Sequence, residues 1–237
     1  MKLFLTSNGF LNTHLEKDFL ELVNDKTNLK VAIIPTASDP IEWVPEKEGD
    51  QAKDKVPRLV PEKKEENAKW LRSYQDEWEK KGYSAIIADL KEDPIELRKK
   101  LESVDVIDVT GGDTNWLLDW AKKSKLDTYL EDLLNKGVVY VGSSAGNGLL
   151  MPDIGLSWWS PEWKLDHVSL GIVDFLVSVH NKEAELPMNI EKTKQRRAYM
   201  QSLMNYPWKI YFLQDGQAIK VNGDTIEHIG PGTKKFI

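Results

Sequence analysis

Cysteine is absent from the 237-residue chain. That absence removes disulfide frameworks, thiolate zinc sites, iron–sulfur clusters and every cysteine-nucleophile mechanism. Histidine is scarce, with four copies, so chemistry that needs an imidazole must draw on a short list. No stretch approaches the ~18 consecutive apolar residues of a membrane helix. Met1–Leu5, followed by Thr6, Ser7 and Asn8, lacks the ~7–15-residue apolar core of a secretory signal. A cytoplasmic protein with no membrane partner is expected. An excess of basic residues is missing too: 32 Lys and Arg against 38 Asp and Glu leave a net charge of −6. That sign argues against a nucleic-acid partner.

What is present reads as an α/β domain spanning 1–237, long enough to bury a core without a staple. Short β-branched runs predict buried strands at Met1–Leu5, Val31–Pro35, Ser84–Leu90, Val104–Thr110 and Gly137–Gly142. Helical spacing predicts helices over Thr13–Asn24, Glu65–Lys81, Pro94–Leu101 and Trp116–Leu134. The alternation implies a three-layer arrangement, a mostly parallel twisted sheet with helices on both faces. Toward the C-terminus the pattern turns β-rich. Val168–His180 and Trp208–Leu213 read as strands, and Gln217–Val221 with Thr225–Ile229 flank an Asn222-Gly223-Asp224 turn. Residues 46–66 hold seven acids and six bases in 21 positions. They predict a solvated loop, with a flap near the site as the alternative.

The sharpest local feature is Val139-Tyr140-Val141-Gly142-Ser143-Ser144-Ala145-Gly146, a buried strand running straight into Gly-x-Ser-x-Gly. A tight strand-to-helix turn of this kind forces the central serine into strained backbone geometry and exposes its hydroxyl at a helix N-terminus. Ser144 is the candidate nucleophile, and Ser143 has the phase of a packing or hydrogen-bonding residue. Acyl transfer also needs oxyanion donors, and the Ala145 N–H directly after the nucleophile is one. A second loop, Thr110-Gly111-Gly112-Asp113-Thr114, leaves the preceding strand at the same sheet edge. Its paired glycines permit close backbone approach to a ligand, and Asp113 or Thr114 can equally cap the helix that follows.

Among the histidines, His14 reads as a surface residue of the N-terminal helix and His228 as a solvated strand residue. His167, after a Trp-rich loop, could line a pocket. His180 ends an apolar run and opens an irregular polar segment, and a strand terminus holds a base rigidly against a cleft. His180 is therefore favoured, with His167 as the alternative.

Taken together, GGDTNWLL at 111–118, KGVVYVGSSAG at 136–146, GIVDFLVSVH at 171–180 and LQDGQAI at 213–219 resemble the dipeptidase E and cyanophycinase family of serine peptidases. The resemblance leaves out the charged 46–66 stretch and the Trp-rich loop at 156–166. It implies a class I glutamine amidotransferase-like fold, with Ser144 as nucleophile, His180 as base, Asp215 as the acidic member, and Gly112 with Ala145 as the oxyanion hole. It implies a cofactor-free hydrolase of short peptides, monomeric or homodimeric, with a preference for N-terminal aspartate. The serine–histidine–acid order differs from the α/β-hydrolase order, which would require a histidine after Asp215, and only His228 qualifies.

In that family an arginine is thought to read the aspartyl side chain. Here the position falls on Lys194, with Arg197 one turn further along, and Asp113 is a third substrate-side candidate. Lysine lacks the planar guanidinium fork, which loosens carboxylate selection. Trp158, Trp159 and Trp163 form a cluster that reads as core or loop packing, or as an aromatic wall limiting the cleft to short peptides. An amidase or esterase acting on a non-peptide acyl group, and a catalytically silent binding protein, are the alternative functions.

Overall fold

The computed structural model describes residues 1–45, 55–155 and 168–237. Among the described residues, the largest sheet has seven strands, β1 (Lys2–Thr6), β2 (Lys30–Ile34), β5 (Ser84–Ile87), β6 (Val106–Val109), β7 (Val139–Ser143), β10 (Ala218–Asn222) and β11 (Thr225–Ile229). Their order is β11-β10-β1-β7-β6-β2-β5. The five strands from β1 to β5 run parallel, and the expected hairpin β10–β11 adds antiparallel to β1.

Strand alternation divides the core between the two faces of this sheet. Phe4, Val31, Ile33, Val106 and Val141 face α1 (Glu16–Leu22) and α2 (Lys64–Lys80), where Phe10, Phe19 and Trp78 stack edge-on or tilted. Leu3, Leu5, Ile34, Ile107, Val109 and Tyr140 face the other way. They pack with α3 (Pro94–Glu102), α4 (Thr114–Lys123), α5 (Leu130–Asn135), α6 (Ala145–Leu150) and α7 (Leu186–Leu203). Each Leu, Ile or Phe buried this way contributes roughly 1.5–3 kcal/mol. The result is the expected three-layer α/β domain with a β-rich C-terminal edge. None of the helices among the described residues is long and apolar enough to cross a membrane.

Four stretches differ from the sequence expectation. The helix expected over 116–134 is broken, because Lys125 adopts a left-handed φ of 62° and ends α4 before α5 begins. The strand expected over 168–180 shortens to β8 (Phe175–Ser178). Gly171 turns the chain at φ 64°, and the amides of Leu170, Gly171 and Val173 donate to the carbonyls of Leu149, Met151 and Leu150 at the C-terminal end of α6. The polar segment after His180 winds into α7. Within the charged stretch, Lys55–Leu59 is a strand, β4, paired antiparallel with β3 (Ile41–Pro45), so residues 55–66 are ordered secondary structure running into α2. Residues 46–54, the Trp158/Trp159/Trp163 cluster and His167 lie outside the described residues.

A second sheet of order β12-β9-β8 joins Lys235–Phe236, Lys209–Phe212 and Phe175–Ser178. The strand expected at 208–213 is its centre. This sheet packs against the α6 side of the core, so the C-terminal ends of β7, β8 and β9 converge on one place.

Candidate active site

The chain leaves β7 at Ser143 and enters α6 at Ala145, with Ser144 between them at φ 48°, ψ −105°. No L-residue adopts that conformation without cost, and two glycines make the turn possible. A Cβ on Gly146 would stand 2.3 Å from the Val109 carbonyl oxygen, and one on Gly142 would stand 2.7 Å from the Asn147 side chain. The end of β1 holds the turn from below. The Thr6 carbonyl accepts the Ser144 N–H at 3.1 Å and the Asn147 amide at 2.8 Å. Ser143 pairs its hydroxyl with Thr6 Oγ1 at 3.0 Å, the hydrogen-bonding role its phase suggested.

His180 follows β8 and also has a positive φ, 57°. Its Nε2 lies 3.0 Å from Ser144 Oγ, and its Nδ1 lies 2.9 Å from Asp215 Oδ1. Asp215 sits in the turn between β9 and β10. The loops carrying the two residues are fastened to each other: Leu213 N–H donates to Ser178 O at 2.7 Å, and Asn181 N–H donates to Leu213 O at 3.0 Å. The Asn189 amide of α7 donates to Asn181 Oδ1 at 3.0 Å and keeps the histidine loop against the helix. Serine, imidazole and carboxylate thus form one continuous hydrogen-bonded line.

Gly112 and Ala145 line the same cavity as Ser144 and His180, a space of about 240 Å³. The glycine is obligatory in the oxyanion-side loop. Its φ is +141°, and a Cβ there would fall 1.9 Å from the Ala37 carbonyl oxygen. The next amide, Asp113 N–H, donates to that same carbonyl at 2.8 Å. Asp113 lies beside the cavity, but its carboxylate is occupied. One oxygen caps α4 through Trp116 N at 2.8 Å, and the other accepts Trp43 Nε1 from β3 at 2.7 Å. Of its two sequence readings, the helix cap is the one seen.

The cavity is lined by Glu185, which precedes α7, and by Asn189 and Thr193 on it, spaced i, i+4, i+8 along one helix face. Lys194 is one position out of phase with that stripe; it is exposed and lies 3.6 Å from Glu191. Arg196 and Arg197 fall next on the inward stripe. Arg196 donates to the Gly155 carbonyl. Arg197 Nε is buried without a hydrogen-bond partner among the described residues.

The other two histidines among the described residues are occupied elsewhere. His14 Nε2 lies 3.0 Å from the Gly216 carbonyl oxygen. His228 Nε2 lies 3.0 Å from Gln217 Oε1, and burial pushes its pKa down to about 4. Neither lines the cavity. Sequence reasoning missed the support beneath Ser144, His180 and Asp215, namely Thr6, Ser7, Asn181 and Asn189. Single polar residues at strand ends and on a helix face carry no motif that could have marked them.

The sequence pattern that defines peptidase family S51 matches residues 48–229, most of the chain, with Gly112, Ser144, His180 and Asp215 inside it. The chain belongs to peptidase family S51. It is 30% identical over 156 residues to Peptidase E of Nostoc sp. strain PCC 7120, a match covering 64% of this chain and 62% of that protein. The aligned region thus spans less than two thirds of this relative. Two crystal structures share the fold. A candidate Peptidase E protein from Listeria monocytogenes EGD-e has a TM-score of 0.63 at 22% identity, covering 98% of each chain. A peptidase from an acI-B1 Actinobacterium has a TM-score of 0.67 at 16% identity, covering 100% of this chain and 93% of the other.

Proposed function

We propose that this S51 member is a cytoplasmic serine peptidase that cleaves short peptides through an acyl-enzyme on Ser144, preferring an N-terminal aspartate. The observation that carries the reading is His180 placed between Ser144 Oγ at 3.0 Å and Asp215 Oδ1 at 2.9 Å. In the reaction His180 Nε2 takes the hydroxyl proton as Ser144 Oγ forms its bond to the scissile carbonyl carbon. Asp215 orients the imidazole and stabilises its cation. The carbonyl oxygen, now negative, meets the N–H groups of Gly112 and Ala145. Collapse breaks the C–N bond, the amine leaves with the proton from His180, and water attacking the ester by the same route frees the serine.

A cavity of about 240 Å³ is at the small end of ligand pockets, which favours short substrates over protein chains. The carboxylate reader we assign is Arg197, on the inward stripe of α7 and carrying an unpartnered buried Nε; Lys194, facing out toward Glu191, is set aside. The test is a panel of Asp-X, Glu-X and Ala-X dipeptides, followed by amine release. Ser144→Ala abolishes turnover of every member that the wild type cleaves; equal rates in both proteins would remove Ser144 as nucleophile. Arg197→Met lowers kcat/KM for Asp-X at least about tenfold relative to Ala-X, the scale of one charge-assisted hydrogen bond, while Lys194→Met leaves the ratio unchanged. The opposite pattern would return the role to Lys194.

A further inference from the structure

The three catalytic candidates do not sit on one sheet. Ser144 follows β7 of the seven-stranded sheet, His180 follows β8 of the three-stranded sheet, and Asp215 lies on the chain as it crosses from β9 back to β10. Their register therefore depends on something that spans both sheets. Ser7, the residue immediately after β1, is in that place. It is completely buried. Its hydroxyl donates to Asp215 Oδ1 at 2.8 Å and accepts the His180 backbone N–H at 2.9 Å. Its own N–H donates to Gln217 O at 3.1 Å, two residues past the carboxylate.

The direction of the hydroxyl follows from these partners. A backbone N–H can only donate, so His180 N–H fills a lone pair on Ser7 Oγ and the hydroxyl proton is free to point at Asp215. The oxygen it reaches is Oδ1, the same atom that receives His180 Nδ1. The Asp215 side chain is 56% exposed, and a carboxylate in that position would otherwise turn about its χ angles into solvent. The same hydroxyl binds the backbone of the residue whose φ is 57°, a conformation that a β-carbon disfavours. One buried group thus fixes the backbone of the base and the side chain of its orienting acid.

We propose that Ser7 is a positioning residue of the S51 site: it acts through Asp215 and His180 to aim the imidazole at Ser144, without touching substrate. The inference rests on the hydrolytic reading above and deepens it.

The test is steady-state kinetics on the dipeptide the wild type cleaves best, with Ser7→Ala, Asp215→Ala, the double variant and Ser144→Ala. Ser7→Ala is expected to lower kcat about 10- to 100-fold, the weight of a hydrogen bond to a charged group, with KM within about twofold. In the Asp215→Ala background the same change is expected to cost measurably less than in the wild type, because one of the two partners it acts through is gone. Should the alanine variant fail to fold, as judged by thermal melting, Ser7→Cys keeps the volume while weakening the donor, and its kcat is expected to fall at unchanged KM. A Ser7 variant that folds and keeps wild-type kcat overturns the proposal. So does a loss that multiplies fully with that of Asp215→Ala, which would mark a structural role alone. Retained activity in Ser144→Ala would instead strike down the hydrolytic reading itself.

Discussion

Gly112 shows how little freedom single positions have around this site. Its φ is +141°, and a side chain would place its Cβ 1.9 Å from the Ala37 carbonyl oxygen, which leaves no room for one. The Gly112→Ala variant must therefore move the loop that carries the proposed oxyanion donor. The expected result is a fall in kcat of about 100- to 1,000-fold, the cost of losing one such donor, with a lower melting temperature from the displaced backbone. Wild-type turnover in that variant would mean that Gly112 contributes no donor. Ser144 shows the converse: its strained φ of 48° is tolerated because Gly142 and Gly146 let β6 and Asn147 close in around it. That much was legible in the sequence, since the glycine spacing around a serine after a buried strand is itself the signature of the turn. Ser7 was not legible. A lone serine after a strand is common, and only the three-dimensional convergence of β1, β8 and the β9–β10 crossing gives it partners.

Between elements, the most unusual contact is that of β6 with α2. Asp108 lies on β6, fully buried, and accepts Tyr74 Oη–H and Trp78 Nε1–H from α2 on one oxygen, each at 2.8 Å. Its other oxygen has no hydrogen-bond partner among the described residues. Burial outweighs the two donors and raises its pKa from 3.8 to about 6. The folded protein thus takes up this proton near pH 6, the unfolded chain only near 3.8, and between these values the folded state binds more protons. Linkage then makes the contribution of Asp108 to stability greatest in acid and progressively lost as pH rises through 6. Asp108→Asn, neutral throughout, removes that slope. Relative to wild type, the variant should be more stable at pH 7 than at pH 4.5 by on the order of 2 kcal/mol, measured by urea denaturation at both values. A wild-type-to-variant difference that does not change with pH would contradict the assignment.

The same scale explains why some elements were readable and others not. The parallel strands declared themselves because burial on both faces demands continuous β-branched runs. The α7 helix did not, because the face it turns to the cavity is built from Asn189, Thr193 and Arg196, residues that line a cavity or bond to loops instead of filling a core. The β4 strand hid in the charged stretch, where Val56 and Leu59, three positions apart, set no period of two. Lys125 gave no warning of its left-handed turn, since lysine seldom adopts one.

At the scale of the molecule, the two larger sheets meet at one cleft. The larger carries Ser144, the proposed nucleophile, and the Gly112 loop, the smaller leads into His180, the proposed base, and the crossing between them holds Asp215, the proposed acid. The family and the three-layer fold follow from the order of motifs along the chain, whereas the relative setting of the two sheets emerges only in three dimensions. The central claim is that His180 activates Ser144. Its most direct measurement is intact-mass kinetics with a serine-directed fluorophosphonate on wild type, His180→Ala and Ser144→Ala. One adduct on Ser144 is predicted for wild type, formation at least about 100-fold slower without the base, and none without the serine. Labelling of His180→Ala at the wild-type rate, or an adduct that persists in Ser144→Ala, would contradict the account.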